Sequence, residues 1–319
     1  MRPGRLFTPV VSLIAVLAVS GCGVGFGAGE QDGSAELAIT RDYGSEVLVS
    51  RTVDGLGQSS TAMRLLDGST EIETRYGGGF VQSIDGISAT AAARSSDWFY
   101  YVNGIAAERG AAEFLVGAGD RMWWDFRDWT DAMDINAVVG SYPAPMSTGY
   151  DGERWPVKVE CVVKGEACGL VEDRVSSDGI ETAGSESSGF EPGSESLRIL
   201  VGEWAGIEAD PDAARLGSAP AVSGVFARFV DQGSGVNLEG LDVTGEPAAR
   251  FGAGTGLIAA VRKGSAPPVW VVTGTDREGV EAAAAALDEE SLRNRYAVVV
   301  FDGEATGLPL TAETGEPLP

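Results

Sequence analysis

The sequence predicts an α+β protein with two domains, and three observations lead to this fold class. Between residues 35 and 137, a hairpin, a short helix and further strands follow one another. The segment 138–156 contains three prolines among turn-forming residues, which is typical of a connection between domains. From residue 157 to residue 303, apolar strands alternate with helices, which indicates an α/β layered domain.

The first element is an export signal. Basic residues precede an apolar run, Leu6 to Val19, that is too short to cross a bilayer as a helix. The small residues after this run end at Cys22 and resemble the lipobox of bacterial lipoproteins, which implies cleavage before this cysteine and its acylation. We therefore expect a signal peptide over 1–21, a flexible tether over 22–34, and a lipid anchor that holds the protein on the extracytoplasmic side of the cell membrane. The alternative is an ordinary cleaved signal with an incidental cysteine.

The composition narrows the classes of partner and chemistry. The formal net charge is −24. Removal of the signal makes the charge more negative, because the signal contains two arginines and no acidic residue. Such an acidic surface repels nucleic acid, so nucleic acid is not an expected partner. The chain contains no histidine, which removes the commonest general base and the commonest transition-metal ligand.

Two of the three cysteines remain once Cys22 is assigned to the lipid. Cys161 and Cys168 are separated by six residues, which is enough for a turn. In an oxidising compartment an even number of cysteines indicates a disulfide, and two free thiols are the alternative. No metal site is expected, because a zinc site would need two more ligands and there is no histidine to supply one.

The first domain opens with a hairpin and a short helix. Apolar residues alternate with period two on both sides of residues 42–45, which predicts two paired strands. Leu65 and Leu66 predict a short helix that ends at Gly68. A third strand is expected at Phe80, before a turn near residues 85–86.

Two aromatic strands come next. In "DWFYYVNG", residues 97–104, alternation places Trp98 and Tyr100 on one face and Phe99 and Tyr101 on the other. "GDRMWWDFRDW" repeats the pattern, with Trp124 and Phe126 on one face and Trp123 on the other. The first face is expected to cover the helix as core. The second face is expected to meet a partner, to contact the second domain or to bind a ligand.

The segments "FVQSIDGI", "DWFYYVNG" and "GDRMWWDF", in this order and spacing, resemble the β-grasp-type domain found at the C-terminus of transcobalamin and intrinsic factor. The resemblance covers about residues 35 to 135. It implies a β-grasp-like fold and a flat, cobalamin-like ligand near Tyr101, Asn103 and Trp123, with Phe99 on the same face. The chain lacks room for the large helical barrel of the vertebrate carriers, which weakens the transfer of cobalamin binding. Asn103 also precedes Gly104, so the first position of a tight turn is its competing role.

The second domain is expected to contain strands at "VKVECVV", "LRILVGEW", "PPVWVVTGTD" and "YAVVVF". Helical spacing from Ala167 to Val175 predicts one helix, and an alanine-rich run after Asp276 predicts another. "SGVFARFV" and "TGLIAAVRKG" fit a helix or a strand equally well. The acidic, Ser- and Gly-rich segment 176–196 is expected to be mobile and the tail 304–319 to be disordered. A structureless segment of this length inside a domain is unusual, so 176–196 is the alternative position of the break between the domains.

Three further patterns could form sites. Asp125, Asp128, Asp131 and Asp134 recur every three residues and are expected to form a solvated acidic edge rather than a calcium site. "GAGTG", residues 252–256, is a weak match to a phosphate-binding loop. Thr273 and Thr275 lie where a strand leads into a helix, a position suited to a polar ligand, although helix capping accounts for the same residues.

The sequence favours a non-catalytic binding protein. No G-x-S-x-G or Ser-x-x-Lys motif is present, and no histidine could activate a serine. The expected ligand is a small molecule, with a corrinoid or tetrapyrrole as the first hypothesis, or a protein partner such as an importer component; no cofactor is required. The alternatives are a hydrolase that uses a carboxylate pair and a structural or adhesive surface module.

Overall fold

Apart from Met1, the predicted hairpin is the first part of the chain that the computed structural model describes. The described residues are Met1, 33–90, 95–162, 165–183, 195–233 and 235–310. Cys22 and most of the tail therefore lie outside them. The chain divides into two compact units, Met1–Glu30 and Gln31–Pro319, and every described residue except Met1 belongs to the second unit.

The first sheet has five strands: β1 (Gly33–Arg41), β2 (Glu46–Leu56), β5 (Ser96–Val102), β6 (Ile105–Ala106) and β7 (Arg121–Asp128). Their order in the sheet is β2-β1-β7-β5-β6. Strand β1 pairs with β2 antiparallel and with β7 parallel, so β1 and β7 run in the same direction.

One face of this sheet is covered by the predicted helix, α1 (Ala62–Asp67). The Thr61 side chain accepts a hydrogen bond from the Arg64 amide at 3.3 Å and so caps the helix, which ends at Gly68 as expected. Leu66 packs here with Trp98 and Trp124, which confirms the predicted core face. A separate hairpin of β3 (Ile72–Arg75) and β4 (Phe80–Ile84) comes after the helix, whereas the sequence predicts only β4.

The second part of the chain is built on a six-stranded sheet of β8 (Val157–Cys161), β9 (Leu197–Glu203), β13 (Gly256–Val261), β14 (Val269–Gly274), β15 (Ala297–Phe301) and β16 (Glu304–Leu308). The order of the strands is β16-β15-β13-β14-β9-β8. Strands β8, β9 and β14 are parallel, and the remaining pairs are antiparallel. A three-stranded antiparallel sheet contains β10 (Ala227–Asp231), β11 (Val236–Leu241) and β12 (Pro247–Phe251). Both ambiguous segments are therefore strands.

Helices cover one face of the six-stranded sheet. Val171 on one helix and Val280 and Ala283 on another pack against Ile199 and Val272. The helices of this part are α2 (Ala144–Ser147), α3 (Glu166–Ser177), α4 (Trp204–Ile207), α5 (Pro220–Ser223), α6 (Arg277–Ala285) and α7 (Glu289–Leu292). The mixture of a helix-covered sheet with antiparallel sheets places the molecule in the α+β class. No helix among the described residues is long and apolar enough to span a membrane.

The two parts share a core. Tyr101 and Trp123, from the outer face of the first sheet, belong to the same buried cluster as Phe226 and Tyr296. The Trp123 and Tyr296 rings lie 5.1 Å apart in an edge-on arrangement. The expected connection, 138–156, contributes to the interior as well, because Val138, Val139 and Tyr142 are buried.

Several local expectations need correction. Asp125 is fully buried rather than part of a solvated edge, because four donors surround its carboxylate. Residues 304–308 of the expected disordered tail form strand β16, which pairs with β15 and buries Leu308. Ser176 and Ser177, at the start of the expected mobile segment, complete α3, and Ile180 is buried.

Candidate functional site

The carboxyl ends of the three parallel strands meet at one edge of the six-stranded sheet. Cys161 at the end of β8 lies opposite Val201, and Glu203 at the end of β9 lies opposite Gly274. Each strand is followed by a helix, α3, α4 and α6 respectively. In layered α/β structures this edge is the usual position of ligand sites, because the connecting loops converge there.

A crevice of about 340 Å³ opens at this edge. Its volume lies at the lower end of the range for small-molecule pockets. Small residues keep it open: a Cβ at Gly202 would lie 2.9 Å from Ile207, and one at Gly206 would lie 3.3 Å from Val162. The crevice is lined by Val162, Gly165, Glu166, Ala167, Cys168, Val201, Gly202, Glu203, Gly206, Arg277, Val280 and Glu281.

The rim of the crevice carries an excess of negative charge. Arg277 forms an ion pair with Glu281 at 2.9 Å, four residues along α6. Glu281, and more weakly Glu166 and Glu203, raise the pKa of the Arg277 guanidinium. Within the described part of the chain, neither Glu166 nor Glu203 has an ion-pair partner. Among the described residues, two carboxylates are therefore available to a cationic ligand.

The predicted disulfide is present, and its Cys168 lines one wall of the crevice. Cys161 ends β8 and Cys168 lies in the first turn of α3, with their Cα atoms 5.9 Å apart. The Glu172 carboxylate lies near both sulfur atoms, so that the three potential metal-ligating atoms fall within 4.8 Å of one another. Because the sulfurs are bonded to each other, they are not thiolates, and this group is not a metal site in the disulfide form.

The predicted aromatic ligand face lies elsewhere. Tyr101 and Trp123 are buried against the second part of the chain, which is one of the outcomes expected for this face. The Trp123 indole donates to the Thr40 hydroxyl at 2.7 Å. Phe99 is only half-buried and lines a separate pocket.

Asn103 occupies the first position of a tight turn, which is the competing role that the sequence allowed. Its φ of 52° and the 77° of Gly104 are those of a tight hairpin turn. Its side-chain amide donates to Asp120 and to the Gly149 carbonyl at 2.7 Å each, and its Oδ1 accepts from the Arg121 amide at 2.8 Å. These contacts leave the buried side chain no open surface for a ligand.

Thr273 and Thr275 lie at the end of β14, outside the crevice lining. Thr273 is buried, and its hydroxyl has no hydrogen-bond partner among the described residues. The Thr275 hydroxyl donates to the Gly252 carbonyl at 3.1 Å and so holds the "GAGTG" turn against the strand. Asp276 caps α6, accepting from the Gly279 amide at 2.9 Å. This is the capping arrangement that the sequence also allowed.

Apart from Cys168, which was predicted only as part of the disulfide, the crevice residues were not among the candidates from the sequence. The available signal was "LVGEWAG", where a buried strand runs into a helix through two glycines and an acidic residue. That signal becomes specific only when β8 and β9 are known to be parallel neighbours.

Comparisons with known proteins identify a family for one segment only. Residues 59–128, from the entry to α1 to the end of β7, match a family described as a domain of unknown function (DUF4430). No curated protein matches the chain. One similar solved structure is described as a "putative metal binding protein" from Ruminococcus gnavus ATCC 29149. It shares 12% identity and covers 30% of this chain and 97% of its own, with a TM-score of 0.25. A similarity this low supports no conclusion about function.

Proposed function

We propose that this protein binds a small organic molecule in the crevice, and that the molecule has an apolar body and a cationic group. The observation that carries the proposal is the position of two carboxylates, Glu166 and Glu203, which have no ion-pair partner among the described residues and lie at the rim of a pocket with apolar walls. An ammonium group can approach these carboxylates while the apolar body packs against Val201 and Val280. Binding of this kind needs no chemical step, so the proposed role is non-catalytic.

The size and charge of the crevice narrow the ligand class. A volume of about 340 Å³ favours a compact molecule rather than a corrinoid, whose macrocycle and side chains need more room. The negative rim disfavours phosphates and other anions, because like charges repel across a short distance. A small amine or a guanidine derivative fits both conditions.

The first experiment compares two probes that share a shape and differ in charge. Benzylamine and benzyl alcohol are titrated into the protein at low ionic strength, with calorimetry as the readout. We expect benzylamine to bind about tenfold more tightly than benzyl alcohol, because each rim carboxylate contributes roughly threefold. Equal binding of the two probes would overturn the cationic preference.

Substitutions in the crevice then test whether the two probes bind there. E166Q combined with E203Q should remove the preference for benzylamine. G206L should abolish binding of both probes, because a side chain at this position projects towards Val162 and fills the crevice. E208Q is the matched control, since Glu208 is exposed two positions after Gly206 and does not line the crevice. Unchanged binding in G206L would show that the probes bind elsewhere.

We also propose that the protein is a lipoprotein held at the membrane by acylated Cys22, which lies outside the described residues. The basic start, the short apolar run and the small residues before Cys22 support this proposal. A detergent-phase partition experiment on cells that express the full chain tests it. The wild-type protein should enter the detergent phase, and C22S should stay in the aqueous phase. Equal partition of the two would contradict lipid anchoring.

For the first sheet we propose a β-grasp-type arrangement similar to the transcobalamin C-terminal domain. A parallel central pair, β1 and β7, with a helix across one face supports this arrangement. The crevice lies in the second part of the chain, so the proposed ligand does not depend on that similarity.

A further inference from the structure

A second pocket, which we call the aromatic pocket, lies where β5 meets the second part of the chain. Its volume is about 260 Å³, and it shares no lining residue with the crevice. Six of its lining residues bear on what it can bind: Phe99, Glu108, Arg127, Met133, Asp134 and Arg262.

Arg127 is the first reason to regard this pocket as a site. Only 1% of its surface is exposed, so a permanent positive charge is buried there. Its terminal nitrogens donate to three main-chain carbonyls, at 2.7 Å to Ala132, 2.8 Å to Met133 and 3.3 Å to Asp128, and to no carboxylate of the described residues. Its Nε has no hydrogen-bond partner within the described residues. Buried donors are nearly always partnered, so a free Nε on a residue that lines a pocket indicates a missing acceptor.

Arg262, from the second part of the chain, is the second buried guanidinium that lines the pocket, with 3% of its side chain exposed. It donates to the Glu108 carboxylate at 2.8 Å and to the Ala266 carbonyl at 2.7 Å. About half of the Glu108 side chain is exposed, so this carboxylate can swing into solvent. Glu108 therefore occupies a position that the carboxylate of a ligand could take.

The remaining walls suit a flat apolar body. The Arg127 guanidinium lies over the Phe99 ring, with its Cζ 3.8 Å from the ring centroid. Met133 is largely exposed beside it, and its flexible thioether can pack against a ring. We propose that the aromatic pocket binds an organic monocarboxylate with a flat apolar body, and that Arg127 and Arg262 face the carboxylate.

The test uses 2-naphthoate as the probe and 2-naphthamide as its neutral counterpart. Calorimetry on the intact protein should show 2-naphthoate binding at least tenfold more tightly than the amide. Failure of 2-naphthoate to bind at millimolar concentration would overturn the proposal. Equal binding of the amide would overturn it too, since an ordered water would then account for the free Nε.

Gain-of-affinity variants avoid the risk that replacing Arg127 simply unfolds the protein. D134N removes an exposed acid from the pocket lining and should tighten 2-naphthoate binding about threefold. E108Q removes the negative charge that pairs with Arg262 and should do the same. D131N is the matched control, because Asp131 belongs to the same loop but does not line the pocket, and it should change the affinity less. M133A should weaken 2-naphthoate binding.

The crevice variant G206L should leave 2-naphthoate binding unchanged. The proposal for the crevice and the proposal for the aromatic pocket can therefore fail independently of each other. No effect of D134N and E108Q would contradict the proposal.

Discussion

The Tyr296 hydroxyl donates a hydrogen bond of 2.9 Å to Oδ2 of Asp125, and this contact joins the two parts of the chain across 171 positions. Asp125 also accepts from the Thr40 hydroxyl at 2.5 Å and from the amides of Gly44 and Tyr43 at 3.0 and 3.1 Å. Burial raises the pKa of the Asp125 carboxyl, and the hydrogen bonds from Thr40, Tyr296 and Gly44 act in the opposite direction. A buried carboxylate with this many donors fixes the relative position of the elements that supply them.

The first prediction concerns the hydrogen bond that the Tyr296 hydroxyl donates to Asp125. Y296F keeps the ring and removes one hydrogen bond to a buried carboxylate, which should lower the free energy of unfolding by about 1–2 kcal/mol. Urea denaturation followed by circular dichroism measures the change. Y76F is the control, because the Tyr76 side chain is exposed and its loss of a hydroxyl should have no measurable effect. Equal stability of Y296F and the wild type would show that Asp125 does not depend on this donor.

The second prediction concerns Gly44, which lies at the same contact between the two parts. Its φ is +80°, and a Cβ there would lie 1.9 Å from the Asn294 carbonyl oxygen and 2.9 Å from the Trp123 ring. Gly86 has a similar φ of +79°, but a Cβ there would meet nothing within 4 Å. Both G44A and G86A carry the cost of a left-handed backbone, about 1 kcal/mol. G44A should lose roughly 2–3 kcal/mol more, because the clash is with backbone that cannot move aside. Similar losses in the two variants would mean that the two parts are not in close contact at Gly44.

Local patterns were sufficient to predict the aromatic strands but not what covers them. Alternation in "DWFYYVNG" gave the two faces of β5, and Asn103 with Gly104 gave its turn. The residues that bury the outer face, Phe226 and Tyr296, come more than a hundred positions later in the chain. Periodicity carries no information about such distant partners, and the sequence alone therefore allows three outcomes for this face.

The crevice and β16 were missed for a related reason. An apolar run such as "LRILVGE" indicates a buried strand but does not give its direction, and only the parallel pairing of β8 and β9 brings their ends together. "EATGL" is short and polar, so it has a weak strand signal of its own. Its pairing with β15 and the burial of Leu308 make it a strand in the folded chain. In β16, tertiary pairing overrides local propensity.

The third prediction is a loss of stability at alkaline pH. Burial raises the pKa of six of the seven tyrosines: Tyr43, Tyr100, Tyr101, Tyr142, Tyr150 and Tyr296. The pKa of Tyr43 is raised to about 12. In the unfolded chain these phenols ionise near pH 10, whereas in the folded chain they stay protonated to a higher pH. The contribution of these buried phenols to the free energy of unfolding is thus fully present below about pH 10, and it is lost as the pH rises towards 12.

Urea denaturation at several pH values from about 8 to about 11 should show this decline, with tyrosinate absorbance appearing as the chain unfolds. Y43F removes one of the phenols whose pKa is raised. It should reduce the slope of the free energy of unfolding against pH, whatever its effect at neutral pH. A constant free energy of unfolding across this range would contradict the assigned burial of the tyrosines.

The last prediction concerns the disulfide between Cys161 and Cys168. It closes a short loop, with a sequence separation of 7, so removing it should lower the free energy of unfolding by roughly 2 kcal/mol. The double variant C161S/C168S, compared with the wild type in urea, measures this loss. Wild-type protein treated with a dithiol reductant should approach the same stability, since both forms lack the cross-link. Cys168 also lines the crevice and ties the first turn of α3 to the end of β8, so freeing that turn should weaken benzylamine binding in parallel. Full stability in the double variant would mean that packing of Val171 and Val175 alone holds α3 on the sheet, and unchanged benzylamine binding would separate the disulfide from the site.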